Sequence, residues 1–222
     1  LPGANYAITT NGAVIADLKT NKAIRTCELS NEMVQRILNI AKKYHSATDP
    51  FIDGRAITQP SSIDHMDEFG LSPQMQKLIR DTREVVPDVM EYVKTTGAQA
   101  EKINIFMADL EEREILRKEL MAMPELSISS SMYNNLEVNA KGADKGSALL
   151  WLADHLGISR EETMAFGDGE NDIPMIKAAG IGVAMENALD TVKEAADTIT
   201  LNNDEDGVAA AIRKFIFGSS EE

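Results

Sequence analysis

Thr163-Met164-Ala165-Phe166-Gly167-Asp168-Gly169-Glu170-Asn171-Asp172-Ile173-Pro174-Met175-Ile176 packs an apolar run, a glycine loop, three acids and a helix start into one stretch. Met164 to Phe166 has strand character, and Gly167 ends it by permitting backbone geometry that other residues resist. Pro174 is tolerated only in the first turn of a helix, so a helix opens near Asp172 and runs until Gly180 stops it. The acids therefore stand at the mouth of a strand-to-helix loop. In open α/β sheets this is the end at which ligands bind, against helix N-termini.

Asp168 and Asp172 are four apart and converge if the loop already coils toward helix, with the Asn171 amide between them. Two converging carboxylates repel unless a hard cation joins them, and Mg²⁺ is the natural one. The alternative at this point is a turn rich in Asp, Gly and Asn that only caps a helix. An EF-hand is excluded: counting from Asp168, Ile173 and Ala179 occupy the positions that need Gly and Glu. Neither Gly167-Asp168-Gly169 nor Gly180-Ile181-Gly182 has the third glycine of a dinucleotide fingerprint.

Outward from this loop, helix and strand alternate strictly. Asp144 starts a helix from Lys145 to Leu156, and Ser159 with Glu162 forms a capping box ahead of the Gly167 strand. Strands at 181–185 and 198–201 and helices at 188–195 and 208–217 follow. Three β-α repeats imply a doubly wound parallel sheet. Lys145 opens its helix at the end where the helix dipole prefers acids, which favours a task for it, such as neutralising a phosphate or a carboxylate.

Earlier in the chain, hairpin signals dominate. Asn11-Gly12, Thr20-Asn21 and Asp53-Gly54 separate short β-favouring runs, and Ser30 caps a helix carrying Met33, Val34, Ile37, Leu38 and Ala41 on one face. Lys102 to Met107 alternates as a strand, Asp109 caps a charged helix, and strands follow at 126–132 and 136–138. This is the pattern of an α+β unit with a largely antiparallel sheet. His45 and His65 lack ligand spacing and read as surface residues, while Trp151 and the methionines read as core. Asn187 follows a strand on the ligand side, although capping a helix at Ala188 explains it equally well.

Of 222 residues, 43% are apolar, enough for a buried core, and the formal net charge is -14. No basic cluster offers a nucleic-acid or anionic-membrane surface, and no apolar run has the length of a membrane span. Cys27 is the only cysteine, so no intrachain disulfide forms, and a cytoplasmic protein is expected.

Asn11-Gly12-Ala13, Ala143-Asp144-Lys145-Gly146, Gly167-Asp168-Gly169-Glu170-Asn171-Asp172 and Gly182 to Ala188 together resemble the haloacid dehalogenase (HAD) superfamily. The likeness is to its Cof-type sugar-phosphate phosphatases with a large α/β cap, type IIB. It implies a HAD-like, Rossmann-like doubly wound core with an inserted α+β cap: residues 1–12 as partial core, 13–134 as cap, 135–222 as core. It further implies a Mg²⁺-dependent phosphatase of small phosphorylated metabolites, acting through an aspartyl-phosphate. In that match Asp168 binds the metal, Asp172 supports it directly or through water, Asn171 touches the phosphoryl group, Lys145 balances charge at the phosphate, Lys145 and Asp172 are the catalytic pair, and Asn11 lies near the hinge and the substrate.

Such enzymes carry their nucleophile in an N-terminal Asp-x-Asp-Gly-Thr, which this sequence does not contain. Asp204-Glu205-Asp206-Gly207 is no substitute, because Asn202 and Asn203 follow the strand and no Thr follows Gly207. The attacking carboxylate and its strand are thus expected outside the sequence, leaving this chain inactive alone. The competing expectation is a truncated, inactive fragment that binds phosphorylated ligands or partners, or assembles with itself, through an exposed sheet edge.

Overall fold

The computed structural model describes residues 3–218, and its contacts divide the chain into two compact units that meet at Ala143/Asp144. In the first unit, β1 (Tyr6–Thr9), β2 (Val14–Asp17) and β3 (Lys22–Thr26) form an antiparallel sheet. Next come α1 (Asn31–Ala41), β4 (Ser46–Ile52), β5 (Arg55–Thr58), α2 (Pro60–Asp64), α3 (Pro73–Thr82), β6 (Glu84–Val85) and α4 (Val89–Thr96). β7 (Lys102–Met107), α5 (Leu110–Met121), β8 (Leu126–Ser129) and β9 (Asn135–Ala140) complete the unit. Its larger sheet has the order β6-β5-β4-β7-β9-β8 and is antiparallel except where β5 meets β6.

That sheet has two unlike faces because strand side chains alternate. Ile103, Ile105 and Met107 of β7 and Leu136 and Val138 of β9 pack against Ile37 of α1, Val93 of α4 and Leu116 of α5, all fully buried. The opposite face is mixed: Ala47 and Phe106 pack there with Met66, Phe69, Leu71 and Ile79, and the rest is polar. Antiparallel register sets Asp49 beside Asn104, Asn104 beside Glu137 and Phe51 beside Lys102. Ion pairs join Lys102 to the buried Glu137 at 2.7 Å and Arg83 to the buried Asp49 at 3.1 Å.

The second unit holds α6 (Lys145–His155), β10 (Met164–Gly167), α7 (Ile173–Ala178), β11 (Ile181–Ala184), α8 (Asp190–Ala195), β12 (Thr198–Ile199) and α9 (Gly207–Ile216). Its strands pair in parallel in the order β10-β11-β12, around a small core of Ile176, Ala184 and Val192. The antiparallel α+β unit and the parallel α/β unit read from the sequence are both present.

The division of the chain differs from the one read above. Residues 135–140 were grouped with the parallel unit, yet β9 hydrogen-bonds between β7 and β8. Residues 1–12 were set apart from the α+β part, yet β1 pairs with β2 along its whole length. Pairing by hydrogen bonds assigns a strand to its sheet, and sequence periodicity carries no record of the partner. The strand expected over 126–132 stops at Ser129, and Trp151 is half-buried and stacked on His155 instead of lying in a core. No helix among the described residues is long and apolar enough to cross a membrane.

Candidate functional site

Two glycines bring the site together. A Cβ on Gly167, at the end of β10, would lie 2.2 Å from the Cβ of Asp172. A Cβ on Gly146, in the first turn of α6, would lie 2.3 Å from the carbonyl oxygen of Pro174. Only glycine therefore lets the loop fold back on its own strand and lets α6 rest against the start of α7. Asp144 fixes the end of α6 by accepting from the Ser147 amide at 2.8 Å and its hydroxyl at 2.6 Å.

Lys145 is thereby delivered to Asp172, its Nζ 2.5 Å from Oδ1. The other carboxylate oxygen, Oδ2, accepts from the backbone amides of Asp168 at 3.0 Å and Gly169 at 3.1 Å. Asp172 is only 6% exposed, and both its oxygens are held by protein donors. The cation answering its charge is the Lys145 ammonium, and its carboxylate also sets the shape of the glycine loop.

Asp168 is exposed, and its Oδ2 accepts from the side-chain amide of Asn187 at 3.0 Å. Asn187 Oδ1 in turn accepts from the Asn203 amide at 3.1 Å. Its side chain thus ties the loop after β11 to Asp168 and to the loop after β12, and it does not cap a helix. Its position at the C-terminal end of a parallel strand was the signal for this use. Asn171 is half-buried on the 3-10 turn Glu170–Asp172 that leads into α7.

Among the described residues no group of three His, Cys, Asp or Glu side chains is placed to hold a metal. The donor set nonetheless fits a Mg²⁺ half-site, since Mg²⁺ keeps several waters and takes only one or two protein carboxylates plus substrate phosphate. Asp168 supplies one such hard, exposed carboxylate. Asn11 belongs to the first unit, where its side-chain amide donates to Glu137 at 2.9 Å and Asn139 at 3.2 Å. Asp204 and Asp206 are exposed, on the 3-10 turn Asn203–Glu205 and at the start of α9.

A parallel sheet with lysine, asparagines and acids gathered at its carboxyl edge defines an α/β protein of the kind that holds ligands there. The chain belongs to the haloacid dehalogenase-like hydrolases, whose family pattern matches residues 2–212. A Bacillus subtilis relative named 5-amino-6-(5-phospho-D-ribitylamino)uracil phosphatase YcsE is 50% identical over 114 residues, 50% of this chain and 46% of that protein. A putative phosphatase of Haemophilus influenzae is 46% identical over 46% of this chain and 38% of its own length. The chain thus spans less than half the length of these relatives. Among solved structures, a haloacid dehalogenase-like hydrolase from B. subtilis superposes with a TM-score of 0.83 at 28% identity, covering 95% of this chain and 79% of that one.

Proposed function

We propose that the protein is a Mg²⁺-dependent phosphatase of small phosphorylated metabolites, sugar phosphates among them, acting through an aspartyl-phosphate. The observation carrying this reading is the Lys145–Asp172 pair beside the exposed Asp168 carboxylate, at the mouth of the parallel sheet. A Mg²⁺ held by Asp168 would offset the negative charge of the phosphoryl group. Lys145, steered by Asp172, presents a positive charge to the phosphoryl oxygens, and the Asn171 amide donates to them. Asn187 keeps the Asp168 carboxylate turned outward. Asn11 is a substrate-binding candidate on the motif match alone. The sequence contains no Asp-x-Asp-Gly-Thr, the pattern expected to carry the attacking aspartate.

Several relatives support a phosphate ester as substrate, three of them bearing the ribitylaminouracil phosphatase name. That polyol phosphate and hexose phosphates form the first panel to assay. The deciding experiment is p-nitrophenyl phosphate turnover by the whole gene product with and without EDTA. EDTA-sensitive turnover lost in Asp168→Asn supports the reading, and EDTA-insensitive turnover refutes the metal. A second reading is a phospho-ligand or partner-binding fragment, favoured by β10, which pairs on one side only among the described residues. It requires phosphate-dependent thermal stabilisation, or self-association, without turnover.

A further inference from the structure

Thr10, Asn11 and Gly12 join β1 to β2 with φ of 48°, 59° and 95°, three successive residues in the left-handed region. Asn-Gly suits such a hairpin turn, but a β-branched threonine there is a steric outlier. Thr10 also leaves its buried Oγ1 without a hydrogen-bond partner, so its own side chain does nothing to hold the conformation. The restraint comes from the polar face of the large sheet. Asn139 on β9, 2% exposed, donates through one amide nitrogen to the Thr10 carbonyl at 2.9 Å and to the Glu101 carbonyl at 3.0 Å. Its Oδ1 accepts from Asn11, whose amide also reaches Glu137, itself paired with Lys102.

We propose that Asn139, with the Glu137–Lys102 pair behind it, is a clasp whose task is to hold Thr10 and Asn11 in this left-handed turn. It is thereby a positioning group for the Asn11 side chain. A strained residue persists only where its surroundings over-determine it. The turn lies more than a hundred residues from β9 in sequence, so the restraint is tertiary. Two of the hydrogen bonds of the Asn139 amide are made with the turn itself, to the Thr10 carbonyl and from the Asn11 amide. The pair Glu137–Lys102 keeps one acceptor oxygen aimed at Asn11 in a buried setting where a lone carboxylate would be unfavourable. The inference draws on the phosphatase reading only for the use made of Asn11, and its test contains no turnover.

The test is hydrogen exchange at the backbone amides of residues 10–14 in a cycle of variants. Asn139→Ala should raise exchange there about tenfold, because a strained turn without its restraint opens more often. In a Thr10→Gly background the same change should raise it by less than about threefold, since glycine holds positive φ unaided. In a Thr10→Ala background the full rise should remain. An Asn139 with a merely structural role would give equal rises in all three backgrounds, and that result, or no rise at all, overturns the proposal. Should Asn139→Ala fail to fold, Thr10→Gly alone decides. It keeps the clasp and removes the strain, so it should melt higher than Thr10→Ala, and an equal or lower midpoint overturns the proposal.

Discussion

The side chain that decides most is Asp172. Its carboxylate simultaneously neutralises Lys145 and accepts two loop amides, so substitution removes a charge partner and a loop restraint together. In the phosphatase reading, Lys145→Met should lower kcat by about 10²–10³ with a smaller change in KM, as expected for a group felt chiefly in the transition state. Steady-state kinetics on p-nitrophenyl phosphate measures this. Gly167→Ala should destabilise the protein by about 1–3 kcal/mol in urea titration, because the new Cβ collides with that of Asp172.

Two buried carboxylates of the polar sheet face should respond to acid with opposite sign. Burial pushes the Glu137 carboxyl up, but the Lys102 charge and hydrogen bonds from Lys102, Asn11 and Ser131 outweigh it and hold it below its ordinary 4.5. A lowered folded value means stability present above pH 4.5 and lost as pH falls through the folded value. Burial raises Asp49 above its ordinary 3.8 despite Arg83. Its contribution runs the other way, favouring the fold at low pH and fading as pH rises through its folded value. Thermal midpoints from pH 3 to 6 should therefore fall less steeply on acidification in Lys102→Met/Glu137→Gln than in the parent, and more steeply in Asp49→Asn.

At the scale of elements, α6 was legible from its cap and α7 from its proline, but their contact was not. Asp144→Ala should cost about 1 kcal/mol through loss of the cap. It should also lower kcat, since the first turn of α6 delivers Lys145, and denaturant titration with kinetics on the same variant separates the two effects. The alternating Lys102-Ile103-Asn104-Ile105 and Asn135-Leu136-Glu137-Val138-Asn139 announced two strands with one polar face. Their pairing with each other was beyond the reach of periodicity, which is why β9 was grouped with the wrong sheet. Asn187 shows the same limit, because a residue after a strand and before a helix suits a cap or a ligand loop equally until its partner, Asp168, is known.

Across the whole molecule, charge sets a further expectation. A formal net charge of -14 repels a phosphate monoester at long range, and salt screens that repulsion over about 8 Å at physiological ionic strength. For the proposed phosphatase, kcat/KM should rise between 10 and 150 mM NaCl at fixed Mg²⁺, and a fall would place a dominant positive field at the site mouth. Local composition alone determined the two kinds of architecture, the glycine loop and the helix that bears Lys145, because turns, caps and periodicity are written in near neighbours. Only the tertiary structure decided that Asp172 is held by Lys145 and loop amides, that Asn187 serves Asp168, and that Asn11 is held by β9. The loop amides apart, those are contacts between residues from 19 to well over a hundred positions apart, and a linear pattern holds no record of which distant donor meets which acceptor.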